Sequence, residues 1–304
     1  MNIHNLFSRF YSRRSAIKSI GMATTAAAAG TIIRPQDVHA VNSISKTDAD
    51  ALAIIGDESH NSDYIRSGLG SNLVDDYGLA IDFSDEEKLI SYENLKHYKI
   101  LIIFRDGLRF PYGYWYSIYW NPKDIEKEVI SDPPIEKPIG EGRVGWMTEQ
   151  QGRDIKRWVS EGGSLWAWHN NSHASLMNED YHDVEGAVYA GHPPIRPFKV
   201  VMTDKSHPIT KGVNDFVVTD EQHYVRYDKD PKHVIARSVY EGPDNPGGWK
   251  DNFGRVNNSA EAVWAYEYGK GRVCFTAPGH MVSALFNPEY IKLQHNAVRW
   301  LLRG

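Results

Sequence analysis

The chain has 304 residues, of which 41% are hydrophobic and 24% charged, values ordinary for a folded globular protein. That length admits one large domain or two small ones. A net charge of −5 argues against a nucleic-acid partner, which needs a basic face, and no charge run is long enough to form a tail.

The N-terminus differs from the rest. Ser12-Arg13-Arg14-Ser15-Ala16-Ile17-Lys18 precedes a weakly apolar, alanine-rich run from Ser19 to Ile33, and Val38-His39-Ala40 fits a small-x-Ala cleavage site. Basic, apolar and small residues in that order predict a signal peptide, and the paired arginines mark the twin-arginine (Tat) route. The bland alternatives are a disordered basic leader or an uncleaved anchor. Gly21, Thr24, Thr25, Gly30 and Thr31 make the run too polar for a stable membrane span. Residues 1–40 are therefore expected to be a leader that engages the Tat translocon and is cleaved after Ala40. The domain, residues 41–304, would then be periplasmic or secreted. The single cysteine, Cys274, excludes an intramolecular disulfide. It sits in an apolar run and reads as a core residue rather than a nucleophile.

Ala51–Gly56 is a short continuous apolar run ending in glycine, the pattern of a buried parallel strand. Residues 63–77 suit a helix, weakened by Gly68 and Gly70. Residues 79–83 suit a second strand, and Lys99–Phe104 a clearer buried one. From Leu108 to Arg143 no period is visible. This insertion holds Phe110, Tyr112, Tyr114, Trp115, Tyr116, Tyr119 and Trp120, and so many aromatics disfavour disorder. Thr148 and Gln151 form a capping-box spacing that opens a helix to Ser160, stopped by Gly162-Gly163. Ser164–Trp168 is a strand. Further strands are expected at 198–202, 216–218, 234–239, 262–266 and 272–276, with Gly269-Lys270 in a tight connection. Asn287-Pro288 opens a last helix. Strand, helix and strand in this order build an α/β fold with a mostly parallel sheet, flanking helices and extra strands in the second half.

A succession of motifs runs through the chain: Gly162-Gly163-Ser164-Leu165-Trp166-Ala167-Trp168-His169, Gly191-His192-Pro193-Pro194, His207-Pro208-Ile209-Thr210-Lys211-Gly212, Phe216-Val217-Val218-Thr219-Asp220-Glu221, Tyr268-Gly269-Lys270-Gly271-Arg272-Val273, Pro278-Gly279-His280 and Asn296-Ala297-Val298-Arg299-Trp300. This ordered set resembles the ThuA-like (trehalose utilisation) family. The resemblance implies a flavodoxin-like core related to class I glutamine amidotransferases, and a part in sugar utilisation beside enzymes that make and consume keto-sugars. Two departures matter. Where an amidotransferase would carry its cysteine, this chain has His169-Asn170-Asn171, so amidotransferase chemistry is not expected. The insertion at 108–143 is larger than usual, so substrate choice does not carry over.

In open parallel sheets ligands bind outside the carboxyl ends of the strands. Titratable residues gather there in this sequence. Asp57, Glu58 and His60 follow the first strand, and Arg105 and Asp106 the Lys99–Phe104 run. His169, Asn170 and His173 follow Ser164–Trp168, while Asp220, Glu221 and His223 follow the 216–218 strand. His280 comes after the last strand. His169 and Glu221 are the expected acid and base, with His280 steadying an oxyanion. Asp106 and His223 are further catalytic candidates. His60, Arg105, Asn170, His173 and His192 are candidates for substrate contact, with Tyr114, Trp115 and Trp120 as a carbohydrate-stacking lid. The bland readings are a helix cap at His60, a pocket rim or turn at His192, a turn at His207 and a local aromatic core or interface in the insertion.

No cofactor fingerprint is present. A divalent metal is an alternative, because His169 and His173 have the i, i+4 spacing that places two imidazoles on one helix face, with His223 or His280 to complete a site. Three functions stay open: an enzyme acting on a glycoside or keto-sugar by proton transfer, a non-catalytic sugar-binding protein, and a metal-dependent hydrolase.

Overall fold

Apolar runs become the buried centre of the protein. The computed structural model describes residues 48–109, 144–242, 250–255 and 258–303. The expected leader at 1–40 and the aromatic candidates Tyr114, Trp115 and Trp120 lie outside these residues.

β1 (Ala51–Ile55) is buried throughout and leads to α1 (Ser62–Leu69), whose Asn61 cap accepts from the Asp63 N–H. The helix predicted over 63–77 does not continue as α. Gly70–Asp75 forms a wider π turn that keeps Asn72 buried, its amide donating to the Leu285 carbonyl at 2.8 Å and to Gln294 Oε1 at 3.1 Å. β2 (Ile81–Ser84), α2 (Tyr92–Leu95) and β3 (Ile100–Phe104) follow. β4 (Leu108–Arg109) and β5 (Val144–Gly145) pair antiparallel at the two ends of the insertion. α3 (Glu149–Glu161) has the capping box expected from Thr148 and Gln151. β6 (Ser164–Trp168) is buried throughout. A 3₁₀ segment, His169–Leu176, comes next, and then α4 (Glu179–Glu185), β7 (Ala187–Gly191), β8 (Arg196–Met202), β9 (Phe216–Asp220), β10 (Tyr224–Tyr227), β11 (Val234–Val239), β12 (Ser259–Tyr268), β13 (Gly271–Thr276), α5 (Val282–Leu285) and α6 (Pro288–Leu301).

The main sheet runs β2-β1-β3-β6-β13-β12-β11-β8-β9. Neighbours from β2 to β13 are parallel, and from β13 to β9 antiparallel. This is the α/β architecture the sequence leads one to expect. The β7–β10 pair was not anticipated: β7 reads AVYAG, and its alanines and glycine carry little strand preference.

Aromatic stacks fix the middle of the sheet. Trp166 and Trp168 share one face of β6 with ring centroids 4.5 Å apart, and Phe104 stacks on Trp168 at 5.4 Å. Buried indole N–H groups need acceptors. Trp166 donates to Thr276 Oγ1 and Trp168 to the Pro278 carbonyl, which ties β6 to β13 and to the loop after it. Cys274 is buried on β13, and burial pushes its thiol up, consistent with a core role. Among the described residues no helix is long and apolar enough to cross a membrane.

One buried group makes stability depend on pH. Glu185 at the end of α4 is fully buried, and burial pushes its carboxyl up to about 8, although Ser175 Oγ and the Ala187 N–H donate to it. A folded-state value above the unfolded one stabilises the fold below the unfolded value of 4.5 and loses that contribution as pH rises towards 8. Urea titrations should show wild-type stability falling across that window relative to Glu185→Gln, which cannot ionise there. Parallel curves for the two proteins would assign the pH dependence elsewhere.

Candidate functional site

The site forms because five chain crossings meet at one edge. The parallel strands β1, β3, β6 and β13 end together, delivering Asp57 and His60, Asp106, His169 and the 277–280 loop. The fifth crossing is β9, separated from β13 in the sheet by β12, β11 and β8. The antiparallel half bends back, so that Phe216 of β9 packs on Tyr290 of α6 at a centroid distance of 5.8 Å. Asp220, at the end of β9, then clasps the loop after β13. Its carboxylate accepts the backbone N–H groups of Gly279 at 2.8 Å, His280 at 3.0 Å and Met281 at 3.2 Å. It also accepts the N–H of Glu221 at 2.8 Å. Burial pushes the Asp220 carboxyl up, against these backbone donors and the nearby His169, which favour its charged form.

Glu221, the next residue, points its Oε2 at four imidazoles. His280 Nδ1 is 3.2 Å away, His223 Nε2 3.3 Å, His169 Nε2 3.5 Å and His192 Nε2 3.6 Å. Burial alone would raise the Glu221 carboxyl, but the imidazoles of His169, His223 and His280 beside it hold it far below the usual carboxylate range. Burial pushes His169 and, more strongly, His223 down towards the neutral form, against the pull of Glu221. At His280, nearer the surface, the attraction of Glu221 outweighs burial and the group is raised.

Hydrogen bonds on the far sides of the rings set their orientation. A carbonyl only accepts, so the 2.6 Å contact of His169 Nδ1 with the Ala277 carbonyl places the proton on Nδ1 and leaves Nε2 as a lone pair facing Glu221. That Nε2 is buried and has no hydrogen-bond partner. The His60 Nδ1 lies 2.9 and 3.1 Å from the two oxygens of Asp57, which accept its proton, and 2.7 Å from Asn170 Nδ2, while its Nε2 is 3.1 Å from His280 Nδ1. Burial opposes ionisation of Asp57, but His60, the Asp106 N–H and Asn170 together hold its carboxyl at about 2. His169 itself has φ +53°, a left-handed conformation that costs a non-glycine residue about 1–2 kcal/mol. It turns the chain sharply off β6 and aims the ring at the cleft.

A second acid–base pair stands beside the cluster. His173 Nδ1 is 2.8 Å from Asp106 Oδ1, and both side chains are partly exposed. Tyr189 of β7 joins the two groups: its ring centroid lies 5.3 Å from His173, 5.3 Å from His223 and 6.2 Å from His192. Burial, together with Glu221 and Asp106, pushes the Tyr189 hydroxyl up, keeping it neutral.

The structure therefore brings together His60, His169, His192, Glu221, His223 and His280, with Asn170 donating to Asp57 at 2.8 Å. Arg105 does not join them. Its guanidinium is buried against the Gly56 carbonyl at 2.6 Å and Glu87 at 2.7 Å, where it fastens the loop after β1. The expected His169–His173 helical pair does not form, because the segment is 3₁₀; at three residues per turn, positions i and i+4 diverge. His207 is a turn element, its Nδ1 accepting the Ile209 N–H at 3.2 Å. Sequence reasoning placed Asp57 and Asp220 at strand ends without assigning them a role, and passed over Tyr189. An Asp-x-x-His at the end of a buried strand was the available signal for the first; Tyr189 sits in the unanticipated β7 and left none.

Ligand atoms of His60, His169, Glu221 and His280 all lie within 4.8 Å of one another, as do those of His192, Glu221 and His223.

The profile of the ThuA family, trehalose utilisation, matches residues 140–301. Among solved structures, a ThuA-like protein from Bacteroides uniformis ATCC 8492 aligns with 15% identity and a TM-score of 0.54, over 84% of this chain and 93% of that one. One from Parabacteroides merdae ATCC 43184 aligns with 14% identity and a TM-score of 0.57, over 83% and 89%. These two likenesses show the fold. No curated protein matches the chain.

Gly279 is a tight packing constraint at the site. A Cβ there would lie 2.7 Å from Phe104 Cζ and 2.8 Å from His169 Cβ. Gly279→Ala should destabilise the protein by about 1–3 kcal/mol through overpacking, read as a lower denaturation midpoint. An unchanged midpoint would mean that His169 is not wedged between β3 and this loop.

Proposed function

Because the chain belongs to the ThuA (trehalose utilisation) family, we propose that it is an exported sugar-utilisation enzyme that acts on a glycoside or keto-sugar by proton transfer in the Glu221 cleft. The observation that carries this reading is the pairing of two unlike acid–base sets around Tyr189: a buried carboxylate ringed by imidazoles, and the partly exposed His173–Asp106 pair.

Each set suits a different task. Asp106 holds the Nδ1 proton of His173 and leaves Nε2 free to accept, the orientation that a neighbouring carboxylate imposes on a general base. His173 also reaches solvent, so it can return the proton after each turnover. His169 is fully buried and held neutral, so it is better placed to orient than to exchange protons with water. His280 lies nearer the surface, and Glu221 favours its protonated form. With Nδ1 turned to Glu221, its Nε2–H can donate to a sugar oxygen that gains negative charge as a neighbouring C–H or O–H bond loses its proton. Elimination and isomerisation begin with such a step; in hydrolysis the base would instead take a proton from the attacking water while the acid protonates the leaving oxygen. In this reading the leader at 1–40 directs the enzyme to the periplasm or beyond.

Incubating the chain with native and 3-keto disaccharides should give product by mass spectrometry for at least one sugar. His173→Ala should then lower kcat about 10²–10⁴-fold, the usual contribution of a general base, while keeping the ligand-induced rise in Tm. Sugar binding without turnover would replace the enzyme with a sugar-binding protein. Full kcat in His173→Ala would remove His173 as the base.

A further inference from the structure

We infer that His60, His169, Glu221 and His280 form a binding site for one divalent first-row transition-metal ion. The donor set is three imidazoles and a carboxylate, which suits zinc, manganese or iron(II) rather than calcium or magnesium.

Spacing is the first argument. Ligands about 2.0–2.2 Å from a zinc ion at tetrahedral angles sit roughly 3.3 Å from one another. Here His60 Nε2 and His280 Nδ1 are 3.1 Å apart, Glu221 Oε2 and His280 Nδ1 3.2 Å, and Glu221 Oε2 and His169 Nε2 3.5 Å. These three pairs already stand at the separations of ligands on a common centre, and all four donors lie within 4.8 Å of one another.

Orientation is the second. Metal-bound histidines commonly give their other ring N–H to a carboxylate or carbonyl, which aims the remaining lone pair at the ion. His60 does this with Asp57, and His169 with the Ala277 carbonyl. The consequence at His169 is a fully buried Nε2 that no protein group satisfies. An unpartnered buried polar atom is costly, and this one faces the other three donors.

Charge is the third. Glu221 Oε2 is crowded by four ring nitrogens, more than the two lone pairs of one oxygen can accept from. Asp57 and Asp220 add buried carboxylates close by. The guanidinium of Arg105 is occupied by Gly56 and Glu87, and that of Arg196, across from Asp220, bonds Gln222 Oε1 and the Tyr224 hydroxyl. A cation at the centre would balance this charge and use the lone pairs together. His192 and His223, which also face Glu221, are left to contact what the ion holds. That this would be the vicinal oxygens of a keto-sugar or glycoside rests on the function proposed above; the ion site does not.

The test uses the full, untagged chain purified without chelator and needs no sugar. Elemental analysis and calorimetric titration of the stripped protein with Zn²⁺, Mn²⁺ and Co²⁺ should find one equivalent bound, with a rise in Tm. Asp57→Asn should weaken affinity about 10–100-fold, the usual effect of losing a supporting carboxylate. His280→Gln, which changes the least buried ligand of the four, should remove most of the binding while keeping the circular dichroism of the fold. Substoichiometric metal with an unmoved Tm for all three ions, or unchanged affinity in His280→Gln, would overturn the site. Because these readings are of bound ion and not of product, an inactive protein that binds metal would count against the sugar chemistry alone.

Discussion

The carboxylate of Asp220 is the contact on which the site's assembly depends. Strands β1, β3, β6 and β13 share an edge simply by being parallel neighbours, but β9, at the border of the sheet beside β8, reaches that edge by a bend of the antiparallel half. The clasp of Asp220 on the N–H groups of Gly279, His280 and Met281 holds β9 to the loop after β13. Hydrogen bonds to a charged acceptor are among the stronger ones in proteins, about 1.5–3 kcal/mol each. One side chain thereby sets the distance between Glu221, its own chain neighbour, and His280, a residue of the loop it holds.

That arrangement is maintained against unfavourable terms. His169 adopts a left-handed backbone, Gly279 leaves no room for a Cβ, and the carboxylates Asp57, Asp220 and Glu221 lie close together, largely out of water. Packing around them is correspondingly rigid: Phe104 and Trp168 stack behind His169, and the Trp168 indole is bonded to the Pro278 carbonyl. Strain and buried charge persist where the surrounding structure over-determines them, and such places tend to be functional. Around this rigid centre His280, His192 and the His173–Asp106 pair keep partial exposure.

Much of the scaffold was legible from residue pattern. Ala51–Ile55, Ile100–Phe104 and Ser164–Trp168 read as buried parallel strands because nothing polar interrupts them, and Thr148 with Gln151 announced α3. The strand-end rule also singled out His169, Glu221 and His280 before any distance was known. What escaped depended on three-dimensional closure. β7 is small-residue strand that exists through its pairing with β10. His173 looked like a helical partner of His169, but a 3₁₀ turn gives it to Asp106 instead. Arg105 looked free for substrate, but β1 ends beside it and takes its guanidinium. Asp57 and Asp220 act through other residues, and no spacing along the chain reveals an interaction between β9 and a loop about sixty positions later.

The account stands on the rings of His60 and His169 turning their Nε2 lone pairs into one cleft, and long-range ¹⁵N–¹H correlation spectra of the metal-stripped protein at neutral pH read that directly. Both residues should show the neutral tautomer protonated at Nδ1, with an unprotonated Nε2. Spectra placing the proton on Nε2 in both would mean that the rings present donors, not lone pairs, to Glu221, and would contradict the convergence described here.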